Sequence, residues 1–291
     1  MRRCPMRQLN RDDADYPPAL TQLKRPPSPL YCIGNDSLLQ LGPNRLVAIV
    51  GTRNASPYGV RVAAELAEAF VAAGVGIVSG LARGIDSVAH RAALQSGGQT
   101  IAVLGTGVDV PYPVGHRALH ADVAAKGLVI SESEPGTPAF EGCFPRRNRI
   151  IAALARVTIV VEAPYKSGAI NTATQALEMD RVVAAVPGPI DSARSAGCNL
   201  LIRDGAQIIN TIDEALMLYG LSRGKGTSVP TMGSIETAVW DALATGPAPV
   251  ELLAQKASLT LRQTQEGIAR LELSGMVRQQ PNGEIDRIKI A

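Results

Sequence analysis

The stretch LVAIVGTRNASPYG, residues 46–59, contains the unit from which the main domain is built. Its first five residues are apolar and mostly branched, which is typical of a strand buried on both faces. The turn Gly51-Thr52-Arg53 follows, and residues 58–72 then carry apolar side chains at helical spacing. A buried strand that passes through a glycine turn into an amphipathic helix is the repeating unit of an α/β sheet.

The same alternation continues to residue 220. Strands are predicted at 46–50, 75–79, 100–104, 128–131, 157–162, 182–186 and 207–210. Helices are predicted at 58–72, 85–95, 149–154, 169–179 and 212–219. Strands that alternate with helices pair in parallel, so residues 42–220 are predicted to form an α/β domain, a mostly parallel sheet with helices on both faces.

The chain on either side of this domain has a different composition. Five prolines between residues 17 and 29 exclude a long helix, so residues 1–41 are predicted to be an extended arm that packs on the core, with one short helix at 37–41. The small polar residues of 221–234 are typical of a flexible linker.

Residues 235–291 are predicted to form a small winged-helix-like domain. They contain helical patterns at 235–243, 250–256 and 261–273, and a hairpin at 277–290 that turns at Pro281-Asn282-Gly283. The third helix presents Arg262, Gln263 and Gln265, which suit a DNA groove. Basic residues outnumber acidic ones by only one from 221 onwards, so contact with another protein or simple packing also explains this helix.

The composition excludes several classes of protein. Of the 291 residues 46% are hydrophobic and 19% charged, which is typical of a globular chain. No apolar run reaches the roughly 18 residues of a membrane-spanning helix, and the basic start lacks an apolar segment, so we expect a cytoplasmic protein. Four cysteines without a CxxC pair and three histidines predict reduced thiols and no metal site. With a net charge of +3, attraction to DNA must come from a local cluster.

Small residues follow the predicted strands, where a ligand can approach the backbone. In open α/β sheets ligands lie outside the carboxyl ends of the strands. The turns at Gly51, Gly80 and Gly105 are therefore candidate ligand-binding positions. Neither GxGxxG nor the Walker pattern occurs at these turns, which weakens NAD and ATP as ligands. Lys166, Ser167 and Gly168 form another such turn, where a helix N-terminus suits phosphate or Ser167 is a structural N-cap.

The strongest local feature is Phe144-Pro145-Arg146-Arg147-Asn148-Arg149, at the start of a helix. Three guanidiniums suit phosphates, and a phenylalanine ring suits an unstacked base. A basic surface turn with Phe144 in the core explains the same residues. Asp86 and His90, one helical turn apart, are compatible with an acid–base pair, although such pairs stabilise many helices.

Eight segments in order resemble the DNA-processing protein A family (DprA, also called Smf): IVGTR, IVSGLARGIDSVAH, TIAVLGTGVDVPYP, SESEPG, FPRRNRIIA, VVEA with SG, AVPGP and NLLIRDGA. The resemblance covers about residues 16–219 and implies an extended Rossmann-like domain. It also implies a non-enzymatic homodimer, without a cofactor, that binds and protects incoming single-stranded DNA. Such a protein helps to load the RecA recombinase in natural transformation or recombination.

The resemblance also implies which residues contact DNA. By motif they are Gly51, Thr52, Arg53, Ser79, Gly80, Gly105, Gly107, Phe144, Arg146, Arg147, Asn148, Arg149, Lys166, Ser167 and Gly168. The chain departs from the family pattern at 169–173 and at His116, where asparagine is more usual. Two other functions remain open: a nucleotide-hydrolysing enzyme on a related core, although the PGGxGT-type turn is absent, and a sensor that binds a small nucleotide.

Overall fold

The computed structural model describes residues 5–222, 234–273, 276–280 and 283–287. The chain divides into two compact units, Met1–Arg223 and Gly224–Ala291. Most of the linker predicted at 221–234 lies outside the described residues. Among the helices of the described segments, none is both long enough and apolar enough to cross a membrane.

Within the described residues of the first unit, nine strands form one sheet. They are β1 (Met6–Leu9), β2 (Leu30–Gly34), β3 (Leu46–Val50), β4 (Gly76–Ser79), β5 (Thr100–Leu104), β6 (Leu128–Ser131), β7 (Val157–Val160), β8 (Val182–Ala185) and β9 (Gln207–Ile208). Their order in space is β1-β2-β6-β5-β4-β3-β7-β8-β9. Strands β3 to β9 pair in parallel, whereas β2 pairs antiparallel with β6 and β1 antiparallel with β2. The predicted mostly parallel sheet is confirmed.

The direction in which the sheet grows reverses at β3. The chain adds β4, β5 and β6 on one side of this strand and then returns to add β7, β8 and β9 on the other. At such a switch point the loops after the two central strands diverge, which leaves a crevice beyond their carboxyl ends.

Helices cover both faces of the sheet. They are α1 (Pro18–Thr21), α2 (Pro57–Ala72), α3 (Ile85–Gln95), α4 (Arg117–Lys126), α5 (Cys143–Leu154), α6 (Gly168–Leu177), α7 (Ala196–Arg203) and α8 (Ile212–Met217). Alternate residues of β3 supply opposite cores: Leu46, Ala48 and Val50 pack with α5, α6 and α7, and Val47 and Ile49 pack with α2, α3 and α8. Each buried valine, leucine or isoleucine contributes about 1.5–3 kcal/mol to folding.

Among the described residues of this unit, three helices were not predicted, namely α1, α4 and α7, and a fourth begins earlier than predicted. The sequence of α4 barely separates a polar from an apolar face, and α7 is a short helix that begins directly after a loop. Helix α5 begins at Cys143 rather than at residue 149, so the whole basic cluster is helical. A glycine in left-handed conformation, Gly142 with φ 84°, precedes it.

Residues 5–41 are more than an extended arm. They supply β1 and β2, and buried Leu9, Tyr16, Leu20 and Leu30 join the core beneath α5. β1 escaped prediction because three of its four residues are exposed, as is usual at a sheet edge. Its sequence therefore shows no alternation of apolar and polar residues. A 3-10 helix at Asp36–Gln40 corresponds to the short helix predicted at 37–41.

Where the structure describes the second unit, it shows three α-helices and a pair of strands. They are α9 (Ser234–Ala242), α10 (Val250–Ala257), α11 (Leu261–Leu273), β10 (Val277–Gln279) and β11 (Ile285–Arg287). The two strands pair antiparallel, and the buried residues of this unit form a small hydrophobic core of their own. Helix positions agree with the prediction, whereas Pro281 and Asn282 of the predicted turn and residues 288–291 lie outside the described residues.

Candidate nucleic-acid interface

Two adjoining cavities open at the carboxyl edge of the sheet. The first cavity, of about 330 Å³, lies at the switch point between the loops after β3 and β7 and the helices α5 and α6. The second cavity, of about 500 Å³, lies beside it, against the loops after β4 and β5. Arg53, Ala82, Phe144 and Arg147 line both cavities, which therefore form one continuous recess.

The loop after β3 is held rigidly at the mouth of this recess. The Thr52 amide donates to the Glu162 carbonyl at 2.6 Å, and the Thr52 carbonyl accepts from the Ile85 amide at 3.2 Å. A Cβ atom at Gly51 would lie 2.5 Å from Ile85 Cγ1, so glycine is needed here for the close packing of α3. The loop thereby fixes the exposed Arg53 at the rim.

Three side chains in contact with one another form a ridge where the two cavities meet. Phe144 is half-buried, and its ring centroid lies 5.1 Å from the Arg53 Cζ atom. The Tyr112 ring lies 5.1 Å from the Phe144 ring, tilted by 33°. Phe144 therefore stands at the recess rather than in the core, which was the alternative interpretation of the sequence. Tyr112 was not among the predicted site residues.

The basic cluster of α5 is divided between two faces of the helix. Phe144, Arg147 and Asn148 line the first cavity, whereas Arg146 and Arg149 both pair with Glu132 on another face. The Arg146 Nε atom lies 3.0 Å from Glu132 Oε1, and the Glu132 side chain is only 6% exposed. One carboxylate thus offsets half of the charge of this arginine pair.

Arg147 is a buried anchor in the wall between the cavities. Only 5% of it is exposed, and its guanidinium donates to the Gly80 carbonyl at 2.7 Å and to the Val103 carbonyl. Its Nε atom donates to Asn148 Oδ1 at 3.0 Å. A phosphate contact was predicted for Arg147, but the structure commits these donors to the protein itself, because α5 turns the side chain towards the sheet.

Asp86 and His90, which were compatible with an acid–base pair, bind different partners. The Asp86 carboxylate accepts from the Gly80 amide at 3.1 Å, and His90 Nδ1 lies 2.7 Å from Thr100 Oγ1 instead. Burial raises the pKa of Asp86, an effect that the positive charge of Arg147 opposes. Burial lowers the pKa of His90 to about 3, so its ring is neutral at physiological pH.

Three predicted contact residues are buried and line neither cavity. Ser79 is fully buried and its hydroxyl donates to the Ile49 carbonyl at 2.7 Å. Gly105 and Gly107 are also buried, and a Cβ atom at Gly105 would lie 3.1 Å from the Cys143 carbonyl oxygen. These residues shape the edge through packing and are not at its surface.

The start of α6 forms the other rim of the first cavity. Ser167 caps the helix by accepting from the Ile170 amide at 3.4 Å, and the exposed Gly168 has open space on its Cβ side. Asn148 Nδ2 donates to the Gly168 carbonyl at 3.2 Å and so joins α5 to α6. Lys166 precedes this cap, exposed and with a left-handed φ of 62°.

Two arginines of the second cavity were missed by the sequence analysis. Arg83 and Arg91 line this cavity and are exposed. Within the part of the chain that the structure describes, no carboxylate oxygen lies within 4.0 Å of the guanidinium nitrogens of Arg53, Arg83 or Arg91. Arg83 follows a predicted strand closely, a signal that could have identified it, whereas Arg91 is placed by the packing of α3.

A family model described as "DNA recombination-mediator protein A" matches residues 7–220. The chain belongs to the DprA family. A second family model, described as "DprA winged helix domain", matches residues 226–283 and confirms the predicted winged helix.

Relatives of known sequence and structure agree with membership of the DprA family. A putative DNA processing protein DprA of Mycobacterium tuberculosis is 42% identical over 258 residues, which cover 86% of this chain and 66% of that relative. The Escherichia coli protein Smf is 35% identical, over 94% of this chain and 75% of the relative. The chain thus spans just under two thirds of the mycobacterial protein's length.

Two solved DprA structures share the fold. The X-ray structure of DprA from Streptococcus pneumoniae gives a TM-score of 0.69 at 40% identity and covers 74% of each chain. A Helicobacter pylori DprA, described for its unique single-stranded DNA binding mode, gives a TM-score of 0.66 at 33% identity, over 73% of this chain and 94% of that chain. Both confirm the DprA form of the Rossmann-like fold.

Proposed function

We propose that this chain binds single-stranded DNA, without catalysis, at the first cavity and its rim. The observation that carries the proposal is the pairing of Arg53 with the half-buried Phe144 ring at the mouth of a cavity at the switch point. A cation without a carboxylate partner suits a phosphate, and an accessible aromatic ring suits an unstacked base. The Helicobacter pylori relative described for single-stranded DNA binding supports the same substrate class.

The two rims of the first cavity bind different parts of a nucleotide. Arg53 on one rim, and Lys166 just before the Ser167 cap of the other, supply charge to phosphates, and the start of α6 at Gly168 adds its amide and the positive end of its dipole. When Arg53 turns to a phosphate, it uncovers part of the Phe144 ring for a base. A duplex hides its base faces, so the site prefers single strands and has little sequence preference.

The buried residues of the predicted site act on DNA indirectly in this proposal. Arg147 and Asn148 hold the wall and the two helices that carry the ligands, and Gly80 leaves room for the Arg147 guanidinium. Arg146 and Arg149 contact phosphates only beyond the cavity, because they face Glu132.

Membership of the DprA family supports a wider role. We infer that the protein acts in the cytoplasm as a homodimer, protects incoming single strands and helps to load RecA in natural transformation or recombination. RecA filament growth on single-stranded DNA, measured with and without the protein, tests the loading role; sedimentation of the free protein tests the dimer.

The DNA-binding proposal is tested by fluorescence anisotropy of a labelled oligothymidine and a matched duplex at several salt concentrations. We expect tight binding to the single strand and weak binding to the duplex. In Arg53→Ala the salt slope for the single strand should fall by about 0.7, the value for one lost phosphate contact. Arg203→Ala removes an exposed arginine that lies outside both cavities and should behave as wild type.

The same titration separates the proposal from a nucleotide-binding function. Equal or absent binding to both DNAs contradicts single-strand recognition. A mononucleotide that binds tightly and displaces the oligothymidine would identify the first cavity as a sensor or enzyme site instead.

A further inference from the structure

The second cavity has a ligand-binding chemistry of its own. Its volume of about 500 Å³ falls within the range of small-molecule sites, roughly 300–1,000 Å³. Arg83, Arg91 and Tyr112 line it and do not line the first cavity. The DNA contacts proposed above use neither arginine.

Two of these side chains are cations without an ion-pair partner among the described residues. Arg83 lies in the loop after β4 and Arg91 on α3, and both are exposed. By contrast, Arg61 and Arg203, two exposed arginines outside the cavities, have a carboxylate partner at 3.2 Å and 2.9 Å. Both guanidiniums line the second cavity, and no carboxylate of the described residues is within 4.0 Å of either. They therefore provide planar hydrogen-bond donors for a phosphate.

The third side chain extends the aromatic surface of the ridge. Tyr112 is 37% exposed, and its ring is in contact with the Phe144 ring at 5.1 Å. Two neighbouring rings that reach adjoining cavities offer stacking surfaces to two bases rather than one, and stacking on such rings tolerates any base.

We propose that the second cavity binds the nucleotide next to the one in the first cavity, on the same strand. Its base stacks on Tyr112, and its phosphate lies between Arg83 and Arg91. The strand then crosses the ridge at Phe144, where Arg53 lines both cavities and contacts the phosphate between the two nucleotides. This inference rests on the proposed function, because the first cavity must hold the neighbouring nucleotide.

The test compares two double variants that remove equal charge. In Arg83→Ala/Arg91→Ala we expect weaker binding of a labelled oligothymidine and a salt slope lower by about 0.7, because one phosphate contact is lost. Arg61→Ala/Arg203→Ala removes two arginines from outside the cavities and should keep the wild-type slope.

The stacking contact is tested separately at Tyr112. Loss of one base–aromatic stack corresponds to about 5- to 150-fold weaker binding, so Tyr112→Ala should fall in this range. Tyr112→Phe keeps the ring and should bind as wild type. An oligothymidine carrying a single 5-iodouracil should photocrosslink to the peptide that contains Tyr112.

The outcomes distinguish this inference from the proposed function. If Arg53→Ala weakens binding while the second-cavity variants match Arg61→Ala/Arg203→Ala and no crosslink reaches Tyr112, the strand does not enter the second cavity, and the first cavity remains the DNA site. If the wild-type protein does not prefer single strands, both proposals are wrong. Unchanged far-ultraviolet circular dichroism in each variant shows that a loss of binding is not a loss of fold.

Discussion

Replacement of Arg147 by alanine tests whether this side chain is a structural anchor or a phosphate ligand. The substitution leaves the Gly80 and Val103 carbonyls without their guanidinium donor and removes the charge that opposes the raised pKa of Asp86. A hydrogen bond to a charged group contributes about 1.5–3 kcal/mol, and loss of one partner from a buried charged group costs about 3–5 kcal/mol. We expect Arg147→Ala to lower the free energy of unfolding by about 3–5 kcal/mol.

The chain provides a matched control one residue away. The Arg146 side chain is 54% exposed, so its ion pair with Glu132 is screened by water, and Arg146→Ala should cost about 1 kcal/mol or less. Gly80→Ala provides a second comparison, because its Cβ atom would lie 2.1 Å from Arg147 Nη1. In the double variant Gly80→Ala/Arg147→Ala the new methyl group enters vacated space, so the two losses should not add.

Urea unfolding, followed by far-ultraviolet circular dichroism, measures these differences. Trp240 is the single tryptophan of the chain and belongs to the second unit, so its fluorescence reports on that unit rather than on the surroundings of Arg147. The anchor role is refuted if Arg147→Ala unfolds at the same urea concentration as Arg146→Ala while its affinity for oligothymidine collapses. Additive losses in the double variant would contradict the predicted contact with Gly80.

Two further predictions concern buried charge. Glu132→Gln removes the carboxylate that holds Arg146 and Arg149, so anisotropy should show tighter binding of oligothymidine and a steeper salt slope, by up to about 0.7; an unchanged slope would show that neither arginine reaches DNA. Burial lowers the pKa of His90 to about 3, so the ring is neutral in both the folded and the unfolded chain at pH 7. As the pH falls below about 6.5, the imidazole of the unfolded chain binds a proton, whereas that of the folded chain does not. Stability should therefore fall by up to about 1.4 kcal/mol per pH unit between these pKa values. His90→Gln, which keeps a polar partner for Thr100, should show a smaller fall in urea titrations at pH 6 and pH 5; identical slopes would contradict a neutral buried ring.

The central strands could be predicted because a strand that is buried on both faces is apolar at almost every position. β3 and β5 are apolar or fully buried along their length, so short apolar runs between turns were sufficient to find them. β1 exposes three of its four residues at the sheet edge, and β2 is only partly buried, so neither carries such a run. The two missed strands therefore lie at and next to one edge of the sheet, outside the alternation of strands and helices that identified β8 and β9.

The basic cluster was predicted as one surface, although it is helical. Residues on a helix are separated by about 100°, so Phe144 and Arg147 share a face that Arg146 does not. Helical periodicity alone therefore divides the cluster, provided that the helix is known to begin at Cys143. The start was missed because Pro145, near the N-terminus of the helix, resembles a turn residue.

The glycines at the strand ends show why a sequence cannot place a ligand by itself. A glycine after a strand indicates that something comes close to the backbone, but the partner can be a phosphate or a side chain distant in sequence. At Gly80 the partner is the guanidinium of Arg147, 67 residues away, and at Gly51 it is the side chain of Ile85. At Gly80 the Arg147 guanidinium thus fills the space that a Cβ atom would occupy, and the proposed function accordingly assigns the phosphate contact to Arg53 at the rim.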